Sequence, residues 1–260
     1  MKMRRAQGLI YALSAGLISF YAISQMSVAG TLSMGSGVDY SSGKYGGTSE
    51  TSVTYIPITG KYETGDWLYK LTVPYVSVTG PANVTPNIGL AVYANKNIRT
   101  DAGLGDIVAT TSYSLINSRS KNVVVDLTGK IKFGTADKYK GLGSGAIDYA
   151  AEVSIYKILA RSSIFASLGY KVFGTSQGYT LNNALFGSLG VSQKFGERTS
   201  VGLIYDYREP VTIWSDSQEM WTLYLNQKIS LKWKAQTYLF SGVGRSSPAV
   251  GGGAMLTKKF

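Results

Sequence analysis

Residues 123–133 read VVVDLTGKIKF. Val123, Val125, Leu127, Gly129, Ile131 and Phe133 share one parity, and Val124, Asp126, Thr128, Lys130 and Lys132 share the other. Side chains of a strand alternate between two faces, so the spacing predicts a strand with one apolar and one polar face. A helix would scatter the same charges around its circumference. The alternation recurs along the chain. Ile107, Ala109, Thr111, Tyr113 and Leu115 oppose Asp106, Thr110, Ser112 and Ser114. Ile147, Tyr149, Ala151, Val153 and Ile155 oppose Asp148, Glu152 and Ser154. Ile164, Ala166, Leu168, Tyr170 and Val172 oppose Ser163, Ser167 and Lys171. Val201, Leu203, Tyr205 and Tyr207 oppose Asp206 and Arg208, and Trp221, Leu223, Leu225 and Ile229 oppose Thr222, Asn226 and Lys228. Earlier, Trp67, Tyr69, Leu71, Val73 and Tyr75 oppose Lys70 and Thr72.

The pattern is weaker over 31–40 and 48–59, and over 232–242 either parity could face out. Pro57 and Pro74 stand inside strand-like runs although proline donates no ladder hydrogen bond. About twelve strands result, most of about ten residues, against a usual soluble length of about five or six. That is the length a tilted strand needs to cross a bilayer. Connections beginning at Ser41, Thr79, Gly134, Gly174 and Glu209 are long and rich in Gly, Ser, Asn and Lys. Those near Glu63–Gly65, Asn117–Ser120, Leu159–Arg161, Gly196–Arg198 and Ser230–Lys232 are tight. Long and short connections alternating around an even strand count predict an all-β fold: a transmembrane, antiparallel, up-and-down barrel of about twelve strands. A soluble β-sandwich would instead bury the apolar face in a core. Strand length and loop alternation favour the barrel, which pairs every backbone group internally in lipid. The valines of 123–133 then face lipid, and Asp126, Lys130 and Lys132 face a polar lumen.

Composition narrows the chemistry. The 260 residues include no cysteine and no histidine, which excludes disulfides, thiolate metal sites and any Ser-His hydrolase. No metal site and no cofactor is expected. MKMRR followed by GLIYALSAGLISFYAI, with Ser27-Val28-Ala29 as a small-x-small cleavage site, has the form of an export signal over residues 1–29. The barrel is assigned to 30–260. An N-terminal membrane anchor is the alternative, and the serines at 14, 19 and 24 weigh against it. Without Lys2, Arg4 and Arg5 the remainder carries +8 against +11 for the whole chain. The lysines are dispersed and the chain is read as exported, so no nucleic-acid partner is expected. Positive charge can instead meet anionic lipopolysaccharide at the outer-membrane surface.

The expected lumenal charges are Lys70, Lys130, Lys132, Lys171, Arg208 and Lys228 with Asp106, Asp126, Asp148, Glu152 and Asp206. Two readings stay open: a structural ion-pair network, or a selectivity lining with a slight anion preference, since the count is nearly balanced. The loop GPANVTPNIGLAVYANKNIRTDAG (80–103) has an apolar middle. It is expected to fold inward as a constriction or plug, with Tyr93, Lys96 and Arg99 bordering the path, because loops of this length are usually functional. An external hairpin or short helix over the mouth is the alternative. Trp67, Tyr69, Tyr205, Tyr207 and Trp221 are expected at the lipid interfaces. GVGRSSPAVGGG (242–253) lacks the Gly-Lys-Ser/Thr ending and the following helix of a phosphate loop, and reads as a hairpin loop before the last strand.

DYSSGKYGG (39–47), WLYKLTVPYVSVTGP (67–81), GLGDIVATTSYSL (103–115) and the terminal Phe260 resemble a family of outer-membrane transporters associated with the meta-pathway of phenol degradation. The resemblance implies a barrel and passage of small compounds, aromatic ones among them, and it carries no catalytic residues. Phe260 matches the terminal residue that barrel-assembly machinery reads, although Lys258 stands where a second apolar residue is usual. The expected function is passive passage of small aromatic or hydrophobic solutes through a narrow polar lumen, with a porin-like channel that is not an enzyme. A closed structural or adhesive barrel is the alternative. An outer-membrane enzyme using Asp148 and Glu152 as acid and base is a weaker one.

Overall fold

The structure, a computed structural model, describes residues 30–81, 84–85, 88–90, 98–175 and 180–260, together with a two-residue strand pair at Ala6–Gln7 and Ser19–Phe20. The rest of the expected leader over 1–29 lies outside the described residues. Twelve strands follow in chain order. They are β1 (Thr31–Gly43), β2 (Thr51–Thr64), β3 (Trp67–Pro81), β4 in two segments (Ile98–Leu104 and Val108–Ser118), β5 (Val123–Lys132) and β6 (Asp148–Leu159). Then come β7 (Ser162–Val172), β8 (Ala184–Phe195), β9 (Thr199–Arg208), β10 (Gln218–Lys228), β11 (Trp233–Gly242) and β12 (Val250–Lys259). Each pairs antiparallel with the next, and β12 returns to β1 from Val250↔Ser42 to Lys259↔Ser33. The sheet closes into a 12-stranded antiparallel barrel with no free edge, the arrangement that satisfies backbone polar groups in hydrocarbon.

Turns at one end are short, as at 65–66, 119–122, 160–161, 196–198 and 229–232. Gly65 and Gly196 adopt φ of 54° and 67° there, a left-handed geometry that glycine enters without a Cβ penalty. Connections at the other end span 44–50, 82–97, 133–147, 173–183, 209–217 and 243–249. Both barrel termini lie at the short-turn end, where the Phe260 amide donates to the Leu32 carbonyl at 2.9 Å.

The weakly patterned stretches 31–40 and 48–59 are full strands, β1 and β2. Pro57 and Pro74 sit directly opposite one another within β2 and β3. Their cost is visible on the next strand. β3 pairs with β4 at Tyr75↔Leu104 and Thr72↔Val108, so two residues oppose three and β4 breaks over 105–107. The Gly105 amide still reaches the Pro74 carbonyl at 2.8 Å. A second irregularity at Val125/Asp126 places Leu115 and Ile116 together on the outside. The ambiguous 232–242 resolves with Lys234, Gln236, Tyr238 and Phe240 inside and Trp233, Thr237 and Leu239 outside. Gly251, Gly252 and Gly253, expected in a loop, belong to β12.

The outer surface is a band of exposed apolar side chains, among them Leu127, Val153, Ile155, Leu189, Leu203, Leu223 and Leu239. Trp67, Tyr69, Tyr62, Phe195 and Trp233 ring it at the short-turn end, and Tyr75, Tyr149, Tyr170, Tyr207 and Trp221 toward the long loops. Two aromatic belts flanking an apolar band fit a bilayer-spanning barrel. Tyr205 joins the long-loop belt, its ring 4.9 Å from that of Trp221 and its hydroxyl donating to Glu219 at 2.8 Å.

Candidate functional site: the barrel lumen

The inward positions of β4 to β7 carry a connected set of charges. Lys132 is registered opposite Asp148, and its Nζ lies 3.3 Å from Asp148 Oδ2 and 2.8 Å from Asp106 Oδ2. Asp106 comes from the break in β4, which turns its carboxylate toward Lys132 and the Ala136 amide. Asp148 also holds Lys171 at 3.0 Å. One tier toward the short turns, Lys130 reaches Glu152 at 3.2 Å, and Glu152 accepts from Ser154. Asp126 and Asp206 are held by the hydroxyls of Ser114 and Ser188. Arg208 is buried on β9, registered opposite Phe186 and Gln218. Of the charges expected to line the lumen, Asp106, Lys130, Lys132, Asp148, Glu152 and Lys171 are therefore drawn into ion pairs. Lys228, also inward, lies toward the short-turn end, and inward Lys70 shares Thr110 with Lys130 as its registered neighbour.

The remaining wall is built differently, and it corrects the expectation of a polar lumen. Val124, Tyr156, Phe165, Ile204, Tyr224, Tyr238 and Phe240 form one buried cluster inside the barrel. Five inward rings stand directly opposite inward glycines on the neighbouring strand: Phe165–Gly190, Phe186–Gly169, Tyr224–Gly202, Phe240–Gly251 and Tyr238–Gly253. A Cβ at Gly190, Gly202 or Gly251 would fall 2.2–2.3 Å from the facing ring, so each ring lies flat in the space a side chain would fill. The rings therefore cover the backbone, and their packing on one another and on Val124 and Ile204 leaves their inner faces buried as well. Tyr238 adds a hydrogen bond at 2.8 Å to the buried Asp39.

At the long-loop end two connections fold onto the mouth. Ile88, from the connection after β3, is buried with Phe173, Ala184 and Val211 at the far side of the barrel. Val84–Thr85 pairs with Gly89–Leu90 as a small hairpin, and Val84 packs on the fully buried Tyr45. The Tyr45 hydroxyl donates to Ser41 at 2.9 Å, and burial pushes its pKa above the ordinary tyrosine range. The connection after β5 also turns in: Ala136 and Leu142 pack on Val53, Val76 and Val78 of β2 and β3. Ser144 accepts from Lys132 at 2.9 Å. Of the expected constriction residues, Tyr93 and Lys96 lie outside the described residues. Arg99 is not in a loop but on β4, because β3 and β4 continue pairing through Pro81↔Ile98. It pairs with Asp101 at 2.8 Å and donates to the Tyr139 carbonyl at 3.0 Å, tying down the β5–β6 connection.

Residues 31–212 match the model of the family described as "Putative MetA-pathway of phenol degradation". The chain belongs to this family. The fold is that of an outer-membrane channel. The COG4313 outer membrane channel from Pseudomonas putida F1 superposes with a TM-score of 0.69, covering 91% of this chain and 97% of that one at 11% identity. The KdgM porin gives 0.53 over 88% of this chain and 99% of that one at 8% identity. The translocator domain of autotransporter NalP from Neisseria meningitidis gives 0.50 over 90% of each chain at 9% identity. Nothing among curated proteins matches the sequence. Identities this low speak for architecture alone. The family match and the channel fold place the protein in the outer membrane, with short turns facing the periplasm and long connections facing outside.

Sequence reasoning missed the aromatic wall, the inserted β5–β6 connection, and the inward Asp39, Lys61 and Lys234. Inward glycines at 169, 190, 202, 251 and 253 were the available signal, since glycine in a strand marks close approach of another group.

Proposed function

We propose that this protein is a narrow channel passing small apolar or aromatic solutes passively across the outer membrane. The observation that carries this reading is the lumen itself, where a flat aromatic wall faces an ion-paired wall inside a closed barrel. Passage requires these buried rings to move aside, and an apolar solute replaces the contacts they lose better than a hydrated ion does. Asp148 and Glu152 do not suit acid–base chemistry, since four residues along a strand separate them by about 13 Å and lysines engage both. The ion-paired charges of β4–β7 then set width and mild ion preference, and the loop packing around Ile88 and Leu142 sets access. We also propose that residues 1–29 are an export leader, that Phe260 engages the barrel-assembly machinery, and that exposed loop lysines meet lipopolysaccharide.

Single-channel conductance of the refolded protein in a planar bilayer under a salt gradient tests the reading. Discrete steps whose reversal potential shifts in Lys130→Glu/Lys132→Glu are the expected result. A second reading, a closed structural barrel, is favoured by the near-complete burial of Asp39, Asp126, Asp148, Glu152 and Arg208. Absence of both conductance and phenol flux from a heat-modifiable, folded barrel would select it. Amino-terminal sequencing of outer-membrane protein should begin at Gly30.

A further inference from the structure

Among the described residues, the charged side chains on the lipid-facing parity of the strands are Glu219 at the long-loop end and Lys157 and Lys258 at the short-turn end. Glu219 accepts from the hydroxyls of Tyr205 and Ser217. The two lysines meet no carboxylate among the described residues. Lys157 donates to the Lys121 carbonyl at 2.8 Å. Lys258 is registered between Trp233 and Met34, with its Nζ 5.5 Å from the Trp233 ring and 4.9 Å from the Phe260 ring.

A lysine facing the middle of the hydrocarbon is costly, and one at the interface costs little. Lys258 holds the last lipid-facing position of β12, so its stem lies along the aromatic belt while its ammonium reaches the headgroup layer. The neighbouring turn adds a second cation. The Lys232 carbonyl accepts from the Lys259 amide at 2.8 Å, which seats the exposed Lys232 at the same end of β12. Ile229 and Leu231, exposed on that turn, continue the apolar edge. On the other short turns Lys121, Arg161 and Arg198 are exposed, against the one exposed carboxylate of Glu197 among the described residues there.

Turn cations alone would suit either an acidic soluble partner or an anionic membrane surface. Lys157 and Lys258 decide between them, because they point sideways into the lipid from β6 and β12, on opposite sides of the barrel. A zwitterionic headgroup brings its own cation to the phosphate, whereas a net-negative headgroup leaves the phosphate free for lysine. We propose that the periplasmic rim binds anionic phospholipids of the inner leaflet, with a headgroup site at Lys258, Lys232, Trp233 and Phe260. That site accounts for lysine at 258, where a second apolar residue is usual, and it does not depend on what the lumen passes.

Trp67→Phe/Trp214→Phe/Trp221→Phe leaves Trp233 as the reporter tryptophan. Quenching by brominated lipids in mixed vesicles then gives the relative affinity at the site. Phosphatidylglycerol should bind at least about fivefold more tightly than phosphatidylcholine, the worth of one cation at an anionic lipid surface. Lys232→Gln/Lys258→Gln should bring the ratio close to one, while Lys232→Arg/Lys258→Arg retains it. A heat-modifiability gel confirms that each variant folds, and native mass spectra of the unaltered barrel released with each lipid repeat the comparison without the reporter. Equal affinity for the two lipids overturns the proposal and turns the rim cations toward a soluble acidic partner. A preference that survives in the glutamine pair overturns the site at Lys258.

Discussion

The ionic wall of β4–β7 and the aromatic wall of β7–β12 solve the same problem in different ways. Each must fill inward positions of a 12-stranded barrel without leaving unpaired groups or collapsing the lumen. The ionic wall does so with long side chains whose ends meet, Lys132 joining Asp106 and Asp148, and Asp148 holding Lys171. Its geometry depends on every member, because a buried charge that loses its partner is expensive. The aromatic wall works by subtraction: Gly169, Gly190, Gly202, Gly251 and Gly253 omit a side chain so that a ring from the next strand can lie down. Its geometry depends on shape, and ionic strength should barely touch it. The difference teaches that this lumen is partitioned, with one side made for charge and the other for flat apolar surface.

The largest effect should come from Asp148→Ala, which strips the shared counter-charge from Lys132 and Lys171. A loss of about 3 kcal/mol is expected, read as a shift of the urea midpoint for the unfolded band on gels. Little change would mean that Asp106 alone holds the ionic wall. On the other wall, Gly190→Ala places a Cβ 2.2 Å from Phe165 and should cost about 1–3 kcal/mol. Gly190→Ala/Phe165→Leu should recover much of that loss, and a simple sum of the two single effects would show that the ring and the glycine are not a unit. Leu142→Ala removes the apolar foot of the β5–β6 connection on Val53, Val76 and Val78. It should cost about 2 kcal/mol of local packing and lengthen the open times of single channels. Raising salt to about 1 M, where the Debye length falls to about 3 Å, should produce the smallest change. A shift of the midpoint well below 1 kcal/mol is expected for the wild type, and a large one would mean that the ionic wall is more hydrated than its burial implies.

Much of this was legible along the chain. Alternation in 123–133, 147–155 and 164–172 predicted strands β5 to β7, and with them the inward facing of Lys130, Lys132, Asp148, Glu152 and Lys171. Asp106 was expected inside by simple alternation, yet it gets there from a break that Pro74 imposes on the neighbouring strand. Lys61 was overlooked because Pro57 and Gly60 blur the pattern around it, and Lys234 because 232–242 carries apolar residues on both parities. The strand parities already turn Tyr156, Phe165 and Tyr224 inward, but nothing along a single strand showed that a ring would lie over a glycine of the next, and Tyr238 and Phe240 fall in the stretch where either parity could face out.

The sequence by itself determined the strand period, the twelve-strand count, the alternation of short and long connections, and the family. Those follow from neighbours within one strand or one turn. Tertiary structure alone decided which ring meets which glycine, which lysines oppose one another, and where the loops at Ile88 and Leu142 come to rest. Each of those depends on register between strands far apart in the chain, and register is fixed only when the barrel closes.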